Sequence, residues 1–159
     1  MAIAIARHTP PQRLINLVNP LVRGLIHSPL HRAVDDALIE LHVTGRKTGR
    51  VYRIPVGYIH DGDHLLVVTQ HAWARNLRGG ATVQVVGSGW QRLMSAALDE
   101  DPESVARTMR GAIEHSGPRA ARTFGLRMDP DSPPTLEELV ETARVHRLSV
   151  VTLSEPGAR

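Results

Sequence analysis

Apolar residues recur at Leu14, Leu17, Val18, Leu21, Val22, Leu25 and Ile26, the three-and-four spacing of a single helix face. Pro20 interrupts the run, so the spacing predicts two short helices or one kinked helix inside an N-terminal helical segment, residues 1–36. From residue 37 the period falls to two. Ala37–Thr44 and Val51–His60 alternate as strands on either side of Gly45-Arg46-Lys47-Thr48-Gly49. Pro55 has no N–H to give to a ladder, which places its strand at an edge or at a bulge. Asp61-Gly62 is a tight-hairpin signal leading into Asp63–Gln70. Residues 73–79 read as a short helix stopped by Gly79-Gly80. Ala81–Val86 and Trp90–Leu98 then form a hairpin about Gly87-Ser88-Gly89.

The last third returns to helices. Asp101-Pro102-Glu103 combines an N-cap, a proline at the first position and an acid in the first turn, predicting a helix to about His115, before Gly117-Pro118. Thr135 and Glu138 stand at capping-box spacing for a helix to about Arg144, and His146–Leu153 alternates again as a last strand. Consecutive antiparallel strands, about six of them, with helices before and after predict an α+β barrel and not a βαβ fold. The expected layout is one domain over 1–159: helical segment 1–36, barrel strands 37–98, helices 99–145 and a closing strand 146–154.

Composition narrows the chemistry. The absence of cysteine excludes disulfides, thiolate zinc sites and cysteine nucleophiles, and suits a reducing cytoplasm. Arginine supplies all but one of the basic residues and is scattered among acids. A net charge of +3 with no basic block argues against nucleic acid. No run approaches the ~20 apolar residues that span a bilayer. Arg13 and Arg23 flank the first apolar stripe, so that helix either packs on the barrel or a dimer partner, or lies on the inner membrane face as a peripheral contact.

Two stretches could carry chemistry. In Thr44–Arg53, glycines bracket a loop able to turn its amides toward a ligand. Arg46, Lys47, Arg50 and Arg53 add charge, and Thr48 adds a hydroxyl. Residue types alone leave an anion site and a solvated basic turn both open. In Thr69–Leu77, Trp73 and Asn76 share a helix face. They suit either a planar ring and its polar edge or a core tryptophan with a capping asparagine. A metal reading of His27/His31 fails because Ser28-Pro29 argues against a continuous helix between them, His60/His64 lack a third ligand, and no serine-hydrolase elbow or dinucleotide fingerprint is present.

In combination, Thr44–Arg50 between strands, Pro55, the Asp61-Gly62 hairpin, Thr69 and Trp73-x-x-Asn76-Leu77 resemble the deazaflavin-dependent nitroreductase and quinone reductase family. These are split β-barrels of the FMN-binding-like, flavin-reductase-like group, and the likeness covers roughly residues 14–90. The resemblance implies that Arg46, Lys47 and Thr48, with Arg50 or Arg53, bind the phosphate and acidic tail of coenzyme F-420. It implies that Pro55, Val56 and Gly57 lie beside the deazaflavin ring, that Thr69 contacts the cofactor, and that Trp73 and Asn76 shape the pocket. The implied reaction is hydride transfer to a quinone, nitro compound or activated alkene by a homodimer, with no protein residue singled out as catalytic. An FMN-binding relative and a non-catalytic barrel holding a lipid-like or tetrapyrrole ligand are the alternatives. This chain also departs from the family pattern in places. Only Gln70-His71-Ala72 stand where the family has a glycine-rich insertion. Arg53 lies two residues before the proline instead of three, which turns it to the other strand face.

Overall fold

The computed structural model describes residues 6–7, 38–129 and 131–157. The helix expected over 12–27, with Arg13 and Arg23, and the His27/His31 pair lie outside the described residues.

The alternating segments form one antiparallel sheet. Its strands are β2 (Leu38–Thr44), β3 (Val51–Gly57), β4 (Ile59–Asp61), β5 (His64–Thr69), β6 (Ala81–Gly87), β7 (Trp90–Asp99) and β9 (Ser149–Ser154). A separate two-residue strand, β1 (Ala6–Arg7), pairs with β8 (Leu126–Arg127), a strand not foreseen in the N-terminal segment. The sheet order is β3-β2-β6-β7-β9-β5-β4. Its two edge strands, β3 and β4, are separated in the chain only by Tyr58. A sheet whose opposite edges are joined by one residue must curl until they meet, and this produces the split barrel. The single long strand expected over 51–60 is therefore two: its first part pairs with β2 and its second with β5. Pro55 sits on an edge strand, where its missing N–H breaks no ladder.

Register fixes what faces inward. Ile39, Leu41 and Val43 of β2, Leu65 and Val67 of β5, Val83 and Val85 of β6, and Val151 and Leu153 of β9 fill the barrel. Each buried aliphatic side chain contributes about 1.5–3 kcal/mol. The outer faces of β4, β5 and β9 carry a second core, covered by α1 (Pro102–Ser116), α2 (Pro118–Thr123) and α3 (Leu136–Val145). Ile59, Leu66 and Val150 meet Met109, Phe124 and Leu139 there.

The helix signals act locally, as expected. Ser104 N–H donates to Asp101 Oδ2 at 2.9 Å, and Thr135 and Glu138 form the reciprocal capping box. Helix α2 was not foreseen. Gly117, at φ 62°, ends α1, and the Pro118 read as a stop also opens the next helix. The last strand starts at Ser149, three residues later than expected, because His146 caps α3 and Arg147 turns the chain at φ 50°. The 73–79 helix is a 3-10 helix, Ala72–Leu77. Ala74 and Leu77 plug the barrel end at which β2 and β5 finish. No helix of the described residues is long and apolar enough to cross a membrane.

Candidate functional site

The basic loop is a closed structure. Gly45 N–H donates to Arg50 O at 2.8 Å, Gly49 N–H to Gly45 O at 2.9 Å, and Arg50 N–H to Thr48 Oγ1 at 3.3 Å. Gly49 holds φ at +67°, which L side chains rarely adopt. A Cβ on Gly45 would stand 2.9 Å from Tyr52 Cε2. Both glycines are thus dictated by the turn, which leaves Arg46, Lys47 and Thr48 exposed at its tip.

The 3-10 helix forms the opposite wall. Thr69 Oγ1 accepts the His71 N–H at 3.1 Å and starts the turn. Three residues per turn stack position 76 over position 73, and Asn76 Nδ2 donates to Trp73 O at 3.0 Å. The Asn76 Oδ1 atom reaches across the chain and accepts the Arg46 N–H at 3.0 Å. The amide of Asn76 is therefore committed to the backbone on both walls.

Between these walls and the open side of β3 lies a cleft of about 1060 Å³. Of the residues expected at a site, Arg46, Lys47, Thr48, Arg53, Pro55, Val56, Trp73 and Asn76 line it. Arg50, Gly57 and Thr69 are not among its lining residues. Arg50 closes the loop through its backbone, Gly57 pairs with Leu38, and Thr69 is 5% exposed with its hydroxyl turned to His71. Arg53 stands opposite His42 in the register. It shares the outer strand face with Pro55, while Tyr52, Ile54 and Val56 share the face of the barrel core. Trp73 reconciles its two readings, because it is partly buried against the barrel core and also faces the cleft.

Sequence reasoning missed His71, Arg75 and Arg78 in the lining. The first two lay inside the stretch already singled out. Nothing local, however, shows that this stretch folds back against the basic loop. Arg78 is neutralised by Glu100 through bonds of 2.8 and 2.9 Å. The hydrogen bond from Arg78 holds the Glu100 carboxyl below its usual range, with a smaller pull from Arg75. Arg46, Lys47, Arg53 and Arg75 complete the charge of the cleft, and no carboxylate lines it among the described residues.

A family model described as F420H(2)-dependent quinone reductase matches residues 27–123, which is more than half of the chain. The chain belongs to that family. Its members are oxidoreductases that work with coenzyme F-420. The chain is also similar to a solved structure described as a domain-swapped dimer, at 14% identity and TM-score 0.48, over 91% of this chain and 100% of that one. A second solved structure is a proposed 5-nitroimidazole antibiotic resistance protein from Bacteroides thetaiotaomicron. It is similar at 10% identity and TM-score 0.44, over 94% of this chain and 81% of that one. Comparison with curated proteins gives no match.

The residues present suit the cofactor of the family. Along β3 the cleft extends from the cationic loop past Arg53 to Ile54, Pro55 and Val56, faced by Ala72 and Trp73. A charged end and an apolar end along one strand suit a molecule with an acidic tail and a planar ring.

A smaller cavity of about 450 Å³ opens at the other end of the barrel, lined by Tyr58, His60, His64, Trp90, Arg92 and Met94 among others. Among the described residues no three His, Asp or Glu side chains cluster as a metal site.

Proposed function

We propose that this cleft holds coenzyme F-420 and that the chain uses it to reduce a small planar acceptor, a quinone, nitro compound or activated alkene. The observation that carries the reading is the cleft's polarity. Arg46 and Lys47 stand at the loop end, with Arg75 across from them and no carboxylate in the lining among the described residues, and Ile54, Pro55, Val56 and Trp73 supply apolar surface farther along. Arg46, Lys47 and Thr48 would take the phosphate and acidic tail, helped by Arg53 and Arg75. Charge-assisted bonds to such groups are roughly twice as strong as neutral ones. Pro55, Val56 and Trp73 would flank the ring and exclude water from it. The bound reduced cofactor supplies the hydride.

The chain's own part in the chemistry is to orient two planar molecules and to hold a proton. His71 is the imidazole that lines the cleft, and the bond from its N–H to Thr69 Oγ1 fixes its backbone. In this reading it hands a proton to the acceptor oxygen as the hydride arrives, so that a quinone leaves as the quinol.

An FMN-binding reading places a single phosphate among several cations and uses less of the charge present. Fluorescence titration of the purified protein with oxidised coenzyme F-420 and with FMN decides between them. Micromolar binding of F-420, tighter than FMN, is expected. Tighter FMN binding transfers the assignment to FMN, and binding of neither removes the cofactor reading altogether.

A further inference from the structure

The Trp-x-x-Asn spacing supports a role for Asn76 different from that of a ligand. Its side-chain amide has one carbonyl and one amino group, and both are engaged. The oxygen holds the Arg46 N–H on the basic loop, thirty residues away in sequence, and the nitrogen holds Trp73 O. Among the described residues, the bond to Arg46 ties the two walls of the cleft together. Arg46 and Lys47 project from one side of it and Arg75 from the other. The Arg46 side chain extends toward the end of the same helix, since a Cβ on Gly79 would stand 3.6 Å from Arg46 Nη2.

A loop of exposed residues between two strands samples many conformations, and ordering it at the moment of binding subtracts from affinity. Tying its backbone to a helix whose Ala74 and Leu77 are seated in the barrel core removes that cost before a ligand arrives. We infer that Asn76 is a positioning residue: it fixes the separation of the two cationic walls, and so sets the affinity for the anionic tail of the ligand without touching the ring. This inference rests on the F-420 reading above. It assigns Asn76 to the protein's backbone instead of to the cofactor.

The test has one arm without cofactor and one with it. In the cofactor-free protein, hydrogen exchange at the Arg46 amide is followed by NMR for wild type, Asn76→Ala and Asn76→Asp. Asn76→Ser, too short to span the gap, replaces the alanine variant should that one not fold. The Arg46 amide is expected to be protected in wild type, to lose protection in Asn76→Ala, and to keep it in Asn76→Asp, which retains an oxygen acceptor. In the second arm each protein is titrated with oxidised coenzyme F-420 and with the tail-free deazaflavin riboside. Loss of one such bond corresponds to about a 3- to 10-fold weakening. That weakening is expected for F-420 with Asn76→Ala, and binding of the riboside should not change.

Equal weakening of both ligands overturns the inference, because Asn76 would then act at the ring. Lost amide protection with unchanged F-420 affinity also overturns it and leaves the cofactor assignment standing. If wild type binds no F-420, the assignment and the inference fall together, whatever the exchange arm shows.

Discussion

Lys47 is the one lysine in the chain and stands at the tip of the loop beside Arg46 and Thr48. Its replacement by alanine removes one cation without disturbing the turn, because the bonds closing the turn belong to Gly45, Thr48, Gly49 and Arg50. The magnitude follows from exposure. Two unit charges about 4 Å apart attract by about 4 kcal/mol in a partly desolvated site but by only about 1 kcal/mol in bulk water. Lys47 is exposed, so the lower figure applies. Lys47→Ala should weaken F-420 binding about fivefold at low ionic strength, the equivalent of about 1 kcal/mol. The Debye length shrinks to about 3 Å at about 1 M salt, so the difference between wild type and variant should nearly vanish there. Fluorescence quenching titrations at low and high salt measure both quantities, with melting curves confirming an unchanged fold. Equal affinities at low salt would refute the assignment of the loop to the anionic tail. A fivefold loss that survives high salt would refute the electrostatic reasoning and point to a packed, desolvated lysine.

Three further outcomes follow from particular contacts. His71→Gln should reduce acceptor turnover by about 100-fold, leave F-420 affinity unchanged, and remove the imidazole limb of the pH–rate profile; an unchanged profile excludes His71 as the proton source. Gly87→Ala would drive a Cβ into the Trp90 indole, at a cost of about 1–3 kcal/mol. Melting should fall by roughly 2–4 °C per kcal/mol for a chain of this size, with a red shift in tryptophan emission; an unchanged melting temperature means that the indole moves aside freely. For Glu100, the Arg78 bond lowers the folded-state pKa, so its stabilisation is present above the unfolded value and is lost as pH falls through the folded value. Glu100→Gln should therefore melt slightly earlier than wild type at neutral pH and together with it below the usual carboxylate range. A gap that persists in acid would mean that the pair acts by packing and not by charge.

The parts of this structure that were legible in the sequence are those whose chemistry is local. Gly45 and Gly49 mark a turn because their own backbone geometry demands it. Asp101 and Thr135 mark helix starts because the N–H groups that donate to their side chains lie only three residues on. Pro55 marks an edge because it lacks a donor. What the residues did not show depends on pairs distant in sequence. Nothing near Tyr58 announces that the chain changes partner there from β2 to β5. Asn76 reads as a pocket residue until its bond to the Arg46 backbone is seen, and Arg75 gains a role only through that same fold-back. For Thr69 the resemblance implied a cofactor contact, while its acceptor oxygen holds the next turn of its own chain and the residue is not among those that line the cleft.

The partner change at Tyr58 also explains why a cleft exists where it does. In a fully closed barrel every inner-sheet strand is paired on both sides, and no backbone edge is left over. Here β3 is paired with β2 through Gly57. Its chain joins β5 only from Ile59 onward, and no ladder joins β3 itself to β5 among the described residues. A seam therefore stays open along Tyr52, Arg53, Ile54, Pro55 and Val56. The 3-10 helix that follows β5 cannot zip this seam, because its amides bond within its own turns, but it can stand across from it as a wall. Pro55 helps to keep the seam from being filled by another strand, since an edge without a donor at its centre is a poor template. The chain change that closes the barrel thus leaves the opening in which a long ligand can lie. Residues at its two ends, cationic at the loop and apolar beyond Arg53, give that opening a direction.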